Sequence, residues 1–334
     1  MYTRQRMLAP KNKELIEILQ TKLKIKRPSA RSYASLIRRL HVDLKQTGPL
    51  SMEFLNRDAT VKHVAAIDNV GRRKNQSVAA LAGTRAADHP LKRQNEYRSI
   101  MLSADADYKK WASSGTRQKG FTGDAAKLWQ SVRNLHKKIG RIVTAKNLFK
   151  RKEHTYEDLV VLQQFVYAKL LSGFEPRRLE LSSLRFLTPD QLGLFTATER
   201  KLMNYILMTP KRWQLVYNHY KTSRSYGSQT YSVPPGLKTT LKKIQAVFAK
   251  RVPEGWIFFN RNNRPMSHSS FSKFIKTVFS TYMGKPYTQN VIRSIRVSSL
   301  FKDAPSTKAL LEAQAGMGSN LATLALNYRV PQKS

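Results

Sequence analysis

Basic and hydroxyl side chains in the second half of the chain follow an order that suits phosphoryl transfer. They are, in chain order, Arg177 with Glu180, Lys221, Arg293 with Arg296, and Tyr328. Metal-free cleavage of a phosphodiester needs cations on the non-bridging oxygens, an acid for the leaving oxygen and a nucleophile. Arginine, lysine and tyrosine side chains supply these three functions. We therefore predict a site that handles phosphate.

Other catalytic or cofactor sites are not indicated. The chain has no cysteine, which excludes disulfides, thiol catalysis and cysteine-based zinc or iron–sulfur sites. The seven histidines form no H-x-x-x-H or H-x-H pair, and neither a P-loop nor a dinucleotide fingerprint is present. Two-metal nucleases need clustered carboxylates, and residues 201–300 contain a single acidic residue, Glu254. We predict no metal and no cofactor.

The charge of the chain points to a polyanionic partner. Lys and Arg number 60 against 21 Asp and Glu, a net charge of +39, whereas an ordinary cytosolic enzyme is close to neutral. Both halves are basic, and residues 201–300 hold 17 basic residues and one acidic residue. A hydrophobic content of 41% is enough for a packed core, so the chain is not a disordered basic tail. The densest source of compensating negative charge is a phosphate backbone.

The elements that must position these residues are predicted to be mostly helical. Apolar residues at helical spacing, with capping residues at the ends, predict most of the helices. A β-hairpin is predicted from two aromatic, β-favouring runs on either side of a Gly-containing link. A helical stretch is predicted at residues 14–19, inside the basic arm, and the pattern is mainly helical from Pro28. The further predicted helices cover residues 59–67, 75–87, 124–139, 155–171, a stretch after Pro176, and residues 198–208, 237–248, 267–282, 289–301, 306–315 and 319–328. The predicted strands cover 213–220 and 229–233, with a loop at 103–123 and a connector at 146–154.

This set of motifs resembles the tyrosine recombinase, or phage-type integrase, family. The family pattern is R-x-x-E-L in a helix, a lysine in a hairpin, H-x-x-R, and G-[HW] with the His or Trp nine residues before a tyrosine nucleophile. Arg177 and Glu180 match the first box, and Lys221 resembles the hairpin lysine. Arg296 matches the second arginine, and Tyr328 lies near the C-terminus. The resemblance covers about residues 155–334.

The sequence departs from the family at both histidine positions. With Arg296 as the second-box arginine, Arg293 stands where the family has histidine. In an alternative frame, with the second box placed three residues earlier, Arg293 is the second-box arginine and Asn290 stands where the family has histidine. Ser319 stands nine residues before Tyr328. Arginine stays protonated and cannot act as a general base, so this site is richer in cations and poorer in bases than the family pattern.

The resemblance implies a mainly α, multi-domain fold. Its parts would be a basic N-terminal arm (1–25), a helical core-binding domain that contacts DNA (26–150), and a mostly helical catalytic domain with a small antiparallel β-sheet (151–334). Tyr328 would form a 3′-phosphotyrosine, and Lys221 would protonate the leaving 5′ oxygen. Arg177, Arg293 and Arg296 would hold the phosphate, and Ser319 would donate one hydrogen bond. Arg178 is the alternative for the first-box arginine, and Lys211 is the alternative for the hairpin lysine.

The predicted function is site-specific recombination or integration of DNA without ATP or metal, in a viral or mobile element. The alternatives are a type IB-like topoisomerase and a catalytically weakened relative that binds DNA in viral packaging or transcription. The predicted partners are double-stranded DNA and three further copies in a tetramer on DNA, with a free monomer or dimer and no membrane. We expect an intracellular, DNA-associated protein, in a nucleus, nucleoid, viral factory or virion. The residues predicted to contact DNA are Arg31, Arg38, Arg72, Arg73, Lys74 and Arg224.

Overall fold

The computed structural model describes residues 10–47, 50–113, 120–301 and 305–328, and the side chains of 13–47, 50–111, 120–301 and 305–325. The chain divides into two compact units, Met1–Arg117 and Gln118–Ser334. Both are built mainly from α-helices, which confirms the predicted fold class. Within the described residues, no helix is both long and apolar enough to cross a bilayer.

The first unit consists of helices packed around a small apolar core. Its core side chains include Leu19, Ile37, Leu55 and Tyr97. The helices are α1 (Pro10–Leu23), α2 (Arg27–Asp43), α3 (Asp58–Ala65), α4 (Val70–Ala86) and α5 (Leu91–Ser113), with a 3₁₀ turn at Glu53–Asn56. Because α1 contributes Leu19 to this core, most of the segment predicted to be a basic arm is part of the folded unit; residues 1–9 lie outside the described residues.

The predicted loop over residues 103–123 is wrong in its first half, which continues α5. The polar sequence there is helical because its carboxylates pair with cations of α4. Asp107 accepts from Arg73 at 2.6 Å, and Asp105 pairs with Lys74. Ion pairs between α4 and α5 thus hold a stretch of α5 that lacks an apolar stripe. Apolar periodicity within the sequence cannot reveal ion pairs between two helices.

The second unit combines helices with one sheet. Its helices are α6 (Ala125–Ala145), α7 (Tyr156–Gly173), α8 (Pro189–Gly193), α9 (Ala197–Lys201), α10 (Ser223–Tyr226), α11 (Pro235–Ala249), α12 (His268–Met283), α13 (Gln289–Leu300), α14 (Thr307–Met317) and α15 (Leu321–Tyr328). The strands are β1 (Leu184–Leu187), β2 (Asn204–Met208), β3 (Trp213–Tyr217) and β4 (Gln229–Ser232), preceded by a 3₁₀ turn at Glu180–Ser183. The predicted capping start of α7 is confirmed, since the Thr155 and Asp158 side chains form a reciprocal capping box.

The sheet has the strand order β1-β2-β3-β4, and it is mixed. The β2–β3 and β3–β4 pairs are antiparallel, which confirms the predicted hairpin, but β1 pairs parallel to β2. The helices predicted after Pro176 and over residues 198–208 are therefore wrong in part, because β1 and β2 occupy those stretches. Phe186 of β1 is held by a bond from its N–H to Gly255 O at 2.8 Å, a contact with a distant loop that local spacing does not reveal.

Helix α6 is part of the second unit, although the sequence places residues 124–139 in the first predicted domain. Its apolar stripe, which includes Trp129, Val132, Leu135 and Ile139, is buried in the main core together with residues of α7 and α13. The structural division therefore falls near residue 117 rather than 150. The assignment of DNA-binding and catalytic roles to the two parts stays a prediction.

Candidate active site

Arg177 lies buried in an extended segment between α7 and the 3₁₀ turn, not in the predicted helix. The rings of Tyr217, Tyr220 and Tyr231 surround its guanidinium carbon at 4.4, 5.0 and 5.8 Å. Burial raises the pKa of Tyr217 and of Tyr220, against the opposing effect of the Arg177 charge. Tyr217 and Tyr220 therefore stay neutral, and the faces of all three rings stabilise a cation that has little access to water.

Hydrogen bonds use only part of the Arg177 guanidinium. Nη2 donates to Tyr231 Oη at 3.0 Å, to Ala315 O at 3.2 Å and to Gln229 Oε1. The buried Nε and Nη1 atoms have no hydrogen-bond partner among the described residues. An unpaired buried donor costs about 1–3 kcal/mol, and these two N–H groups are open to an acceptor only when the residues that cover them, Gly318 among them, move.

Arg293 joins the same cluster from α13. Its side chain is fully buried. Nη1 donates to Pro176 O at 2.9 Å and to Met317 O at 3.0 Å, and Nη2 donates to Ser319 Oγ at 2.9 Å. The two arginines are thus connected through the peptide link of Pro176 and through the turn between α14 and α15. The structure brings Arg177, Arg293 and Ser319 together in one cluster.

The hairpin connection between β3 and β4 closes over this turn. Thr222 Oγ1 donates to Gly318 O at 2.7 Å. Gly318 has a φ of +59°, and a Cβ there would lie 2.5 Å from Arg177 Nη1, so glycine is required by both backbone and space. Lys221 is exposed and sits between two residues that contact the cluster, Tyr220 and Thr222. Its backbone is therefore held beside the arginines.

Two further basic residues lie on connections of the sheet. Lys211 is exposed in the β2–β3 turn, where its carbonyl accepts from Lys238 Nζ at 3.4 Å. That turn makes no described contact with the arginine cluster, which favours Lys221 over the alternative. Arg224 is exposed on α10, in the same connection as Lys221.

Arg296 is engaged elsewhere. Its Nε donates to both carboxylate oxygens of Glu175, at 3.0 and 2.8 Å, and its Nη2 donates to Oε1 at 2.5 Å. The guanidinium carbon also lies 5.3 Å from the Trp129 ring. Because a carboxylate already neutralises Arg296, the geometry favours the frame in which Arg293 is the second-box arginine. Asn290, exposed on α13, then stands in the histidine position.

The remaining candidates are less defined. Tyr328 is the last residue of α15, and its side chain lies outside the described residues. Glu180 begins the 3₁₀ turn, and its buried Oε2 has no hydrogen-bond partner among the described residues. Arg178 is partly exposed and makes no described contact with the cluster.

Sequence reasoning did not find the residues that hold the Arg177 backbone. Gln289, the first residue of α13, donates from Nε2 to Arg177 O and accepts from Tyr167 Oη at 2.5 Å. Tyr167 is buried among the rings of Phe258, Phe271 and other phenylalanines. No local signal marks Gln289. The aromatic run around β3 and β4 was visible in the sequence, but its contact with Arg177 was not.

The predicted DNA contacts of the first unit fall into two groups. The basic run on α4 is paired internally, with Arg72 on Asp43 at 2.6 Å and its two neighbours on carboxylates of α5. That pairing removes the support for Arg72, Arg73 and Lys74 as DNA contacts. Arg31 and Arg38 are exposed, seven residues apart on one face of α2, with no ion pair among the described side chains.

Among the described residues, no three His, Asp or Glu side chains group in a way that could hold a metal ion. The sequence matches no protein-family model and no curated protein. Among solved structures, a XerA recombinase matches with a TM-score of 0.37 and 11% identity, over 97% of this chain and 94% of that chain. A likeness at this level carries no argument about function.

Proposed function

We propose that the protein cleaves and rejoins DNA as a tyrosine recombinase, through a 3′-phosphotyrosine. The observation that carries the proposal is the convergence of Arg177 and Arg293 on one segment, the end of α14 and the turn after it (residues 315–319), which leads into the helix that ends at Tyr328. The two arginines are 116 positions apart. Their convergence beside the hairpin of Lys221 is what a phosphate-handling site requires and what a merely basic surface does not.

In this mechanism the residues that cover Arg177, Gly318 among them, move when DNA binds, and Nε and Nη1, the two donors that the protein leaves unpaired, then bind a non-bridging phosphate oxygen. Arg293 fixes the turn and adds positive charge behind the phosphate. Tyr328 Oη attacks phosphorus, the P–O bond to the 5′ oxygen breaks, and Lys221 gives that oxygen its proton. The 5′-hydroxyl of another strand reverses these steps, and the phosphotyrosine bond conserves the energy of the original ester.

The absence of histidine at both family positions sets the expected rate. The Tyr328 proton passes to water or to a phosphate oxygen, since arginine at position 293 stays protonated. Loss of a general base typically costs about 10²–10⁴-fold. We therefore expect a slow enzyme. The basic surfaces of both units would bind duplex DNA, and synapsis would assemble a tetramer on DNA within a DNA-associated compartment.

The direct test is a nicked suicide substrate, offered as a pool of duplexes of random sequence. Wild-type protein is expected to form a covalent protein–DNA adduct that survives denaturing electrophoresis. Tyr328→Phe should form none, whereas Tyr156→Phe, at the start of α7, should form it as the wild type does. An adduct with Tyr328→Phe would refute the assignment. Relaxation of supercoiled plasmid without synapsis would indicate a type IB-like topoisomerase instead.

A non-catalytic DNA-binding relative is the second candidate. It is favoured by the complete burial of Arg293, whose N–H groups donate to protein carbonyls, and by the missing histidines. Such a protein would retard branched DNA in a gel without forming an adduct. Binding without an adduct, with Arg177→Ala binding as the wild type does, would support this candidate.

A further inference from the structure

A pocket of about 400 Å³ is lined in part by Tyr217 and Tyr231, two of the tyrosines that surround Arg177. Its walls are aromatic, formed by Trp129, Phe174, Tyr217 and Tyr231. The Phe174 and Tyr217 rings each lie against Tyr231, at 6.3 and 6.2 Å between ring centroids. These rings form a continuous apolar wall that suits a flat ligand.

Two small residues of α14 line one part of the pocket and leave its space open. Ala315 and Gly316 line it, and a Cβ at Gly316 would lie 2.6 Å from Glu175 Cγ. Any larger residue at position 316 would displace Glu175 or fill the space. The pocket therefore exists because α14 packs against Glu175 through a residue without a side chain.

The charged groups of the pocket balance. Arg296 and Glu175 form an ion pair in its wall, and Arg133 and Glu312 line it as exposed residues. Two cations and two carboxylates leave no net charge, so neither a free anion nor a cation is favoured. A neutral ligand whose edge has both donors and acceptors would match the carboxylate and guanidinium groups.

The pocket shares three residues with the surroundings of Arg177, namely Tyr217, Tyr231 and Ala315. A ligand in the pocket therefore contacts the same residues that contact the Arg177 guanidinium. A neutral, flat, hydrogen-bonding group attached to a phosphodiester is a nucleobase. We propose that this pocket binds one unstacked nucleobase of the DNA, next to the phosphate on Arg177; the inference rests on the proposed function.

The test compares three DNAs with the same paired sequence, two of which share one backbone length. They are a paired duplex, the same duplex with a bulge of three thymidines, and that duplex with a bulge of three abasic residues. Phosphates are identical in the two bulges, so the difference in affinity measures the bases alone. Because stacking of a base on an aromatic side chain contributes about 1–3 kcal/mol, we expect the thymidine bulge to bind about 5- to 150-fold tighter in an anisotropy titration.

Two tryptophan substitutions on α14 provide the matched pair. Ala315→Trp places a ring in the pocket and should remove the preference for thymidine. Leu311→Trp adds the same ring on the same helix, at a residue 53% exposed that does not line the pocket, and should keep the preference. Phe174→Leu, which keeps the apolar bulk but removes a stacking face, should lower the preference without filling the space. Thermal unfolding establishes that each variant is folded.

Equal affinity of the wild type for the two bulges would overturn the proposal that the pocket binds a base. A preference for thymidine that is unchanged in both Ala315→Trp and Phe174→Leu would overturn it too. If the adduct with the nicked substrate still forms in that case, the proposed recombinase chemistry stands without the pocket. Failure to bind any of the three DNAs would overturn both proposals together. A base preference without an adduct would support the pocket in a non-catalytic DNA-binding protein.

Discussion

The ion pair between Arg296 and Glu175 engages one of the two candidate second-box arginines, and a double-mutant cycle measures its strength. Both side chains are about one-fifth exposed, and their contacts are 2.5–3.0 Å long. At an effective dielectric constant of about 20, charges about 4 Å apart attract by about 4 kcal/mol. Discounting for residual solvent and side-chain entropy leaves about 2 kcal/mol, within the range for hydrogen bonds between charged groups.

We expect Arg296→Met and Glu175→Gln each to lower the free energy of unfolding by about 2–3 kcal/mol in urea titrations followed by circular dichroism. The double variant should be less destabilised than the sum of the two, by about 2 kcal/mol. Met retains most of the volume of Arg, and Gln retains the shape of Glu, so the cycle removes charge more than packing.

The same variants test the choice of frame. If Arg293 and Arg177 serve the phosphate, Arg296→Met should still form the covalent adduct within about ten-fold of the wild-type rate, under conditions where it is folded. Arg177→Met, by contrast, should lose about 10²–10³-fold, as expected for removal of one preorganised donor. A coupling below about 0.5 kcal/mol, with Arg296→Met as inactive as Arg177→Met, would refute this reasoning.

Three further outcomes are expected. Gly318→Ala should lower the free energy of unfolding in urea by at least about 1 kcal/mol more than Gly284→Ala. Both glycines have a positive φ, but only a Cβ at position 318 would lie against a side chain. Equal losses of stability would contradict the close packing at Gly318. Arg38→Ala should reduce the slope of log affinity for DNA against log salt concentration by about one released counterion. Arg72→Ala should leave that slope unchanged, because Asp43 already pairs with the Arg72 charge. A reduced slope for Arg72→Ala and an unchanged slope for Arg38→Ala would place the DNA on α4. Burial lowers the pKa of His41 below its ordinary 6.5, so near this pH the unfolded chain binds more protons than the folded chain, and stability should fall as the pH drops below 6.5. Thermal unfolding of His41→Asn across this range should show a weaker dependence of stability on pH. An unchanged pH profile would contradict this role of His41.

Local patterns predicted the helical class, the β3–β4 hairpin and the capped start of α7. These features depend on residues within a few positions of one another, such as Thr155 and Asp158. The same reasoning failed at β1, where Leu181 and Leu184 gave a helical spacing although the segment is a 3₁₀ turn followed by a strand. The parallel pairing of β1 with β2 joins residues 20 positions apart, such as Leu184 and Asn204, and no local period records it.

The candidate site was predicted as a set of residues but not as an arrangement. Residue types and their order indicated Arg177 and the pair Arg293 and Arg296, and the family resemblance added Ser319. The sequence could not choose between the two frames of the second box, because both place an arginine on α13. Gln289, which holds the Arg177 carbonyl, left no signal, since a buried amide is recognisable only by the groups it bonds.

By itself the sequence determined that the chain is strongly basic, free of cysteine, mainly helical, and almost without carboxylates over residues 201–300. It therefore determined that most of those cations need a partner beyond their own segment. Tertiary structure alone decided which partner each one has. Arg296 meets Glu175, 121 positions away, while Arg293 meets backbone carbonyls and a serine. The reason is physical: hydrogen bonds and short-range ion pairing act over a few ångströms in space, and distance along the chain does not specify distance in the fold.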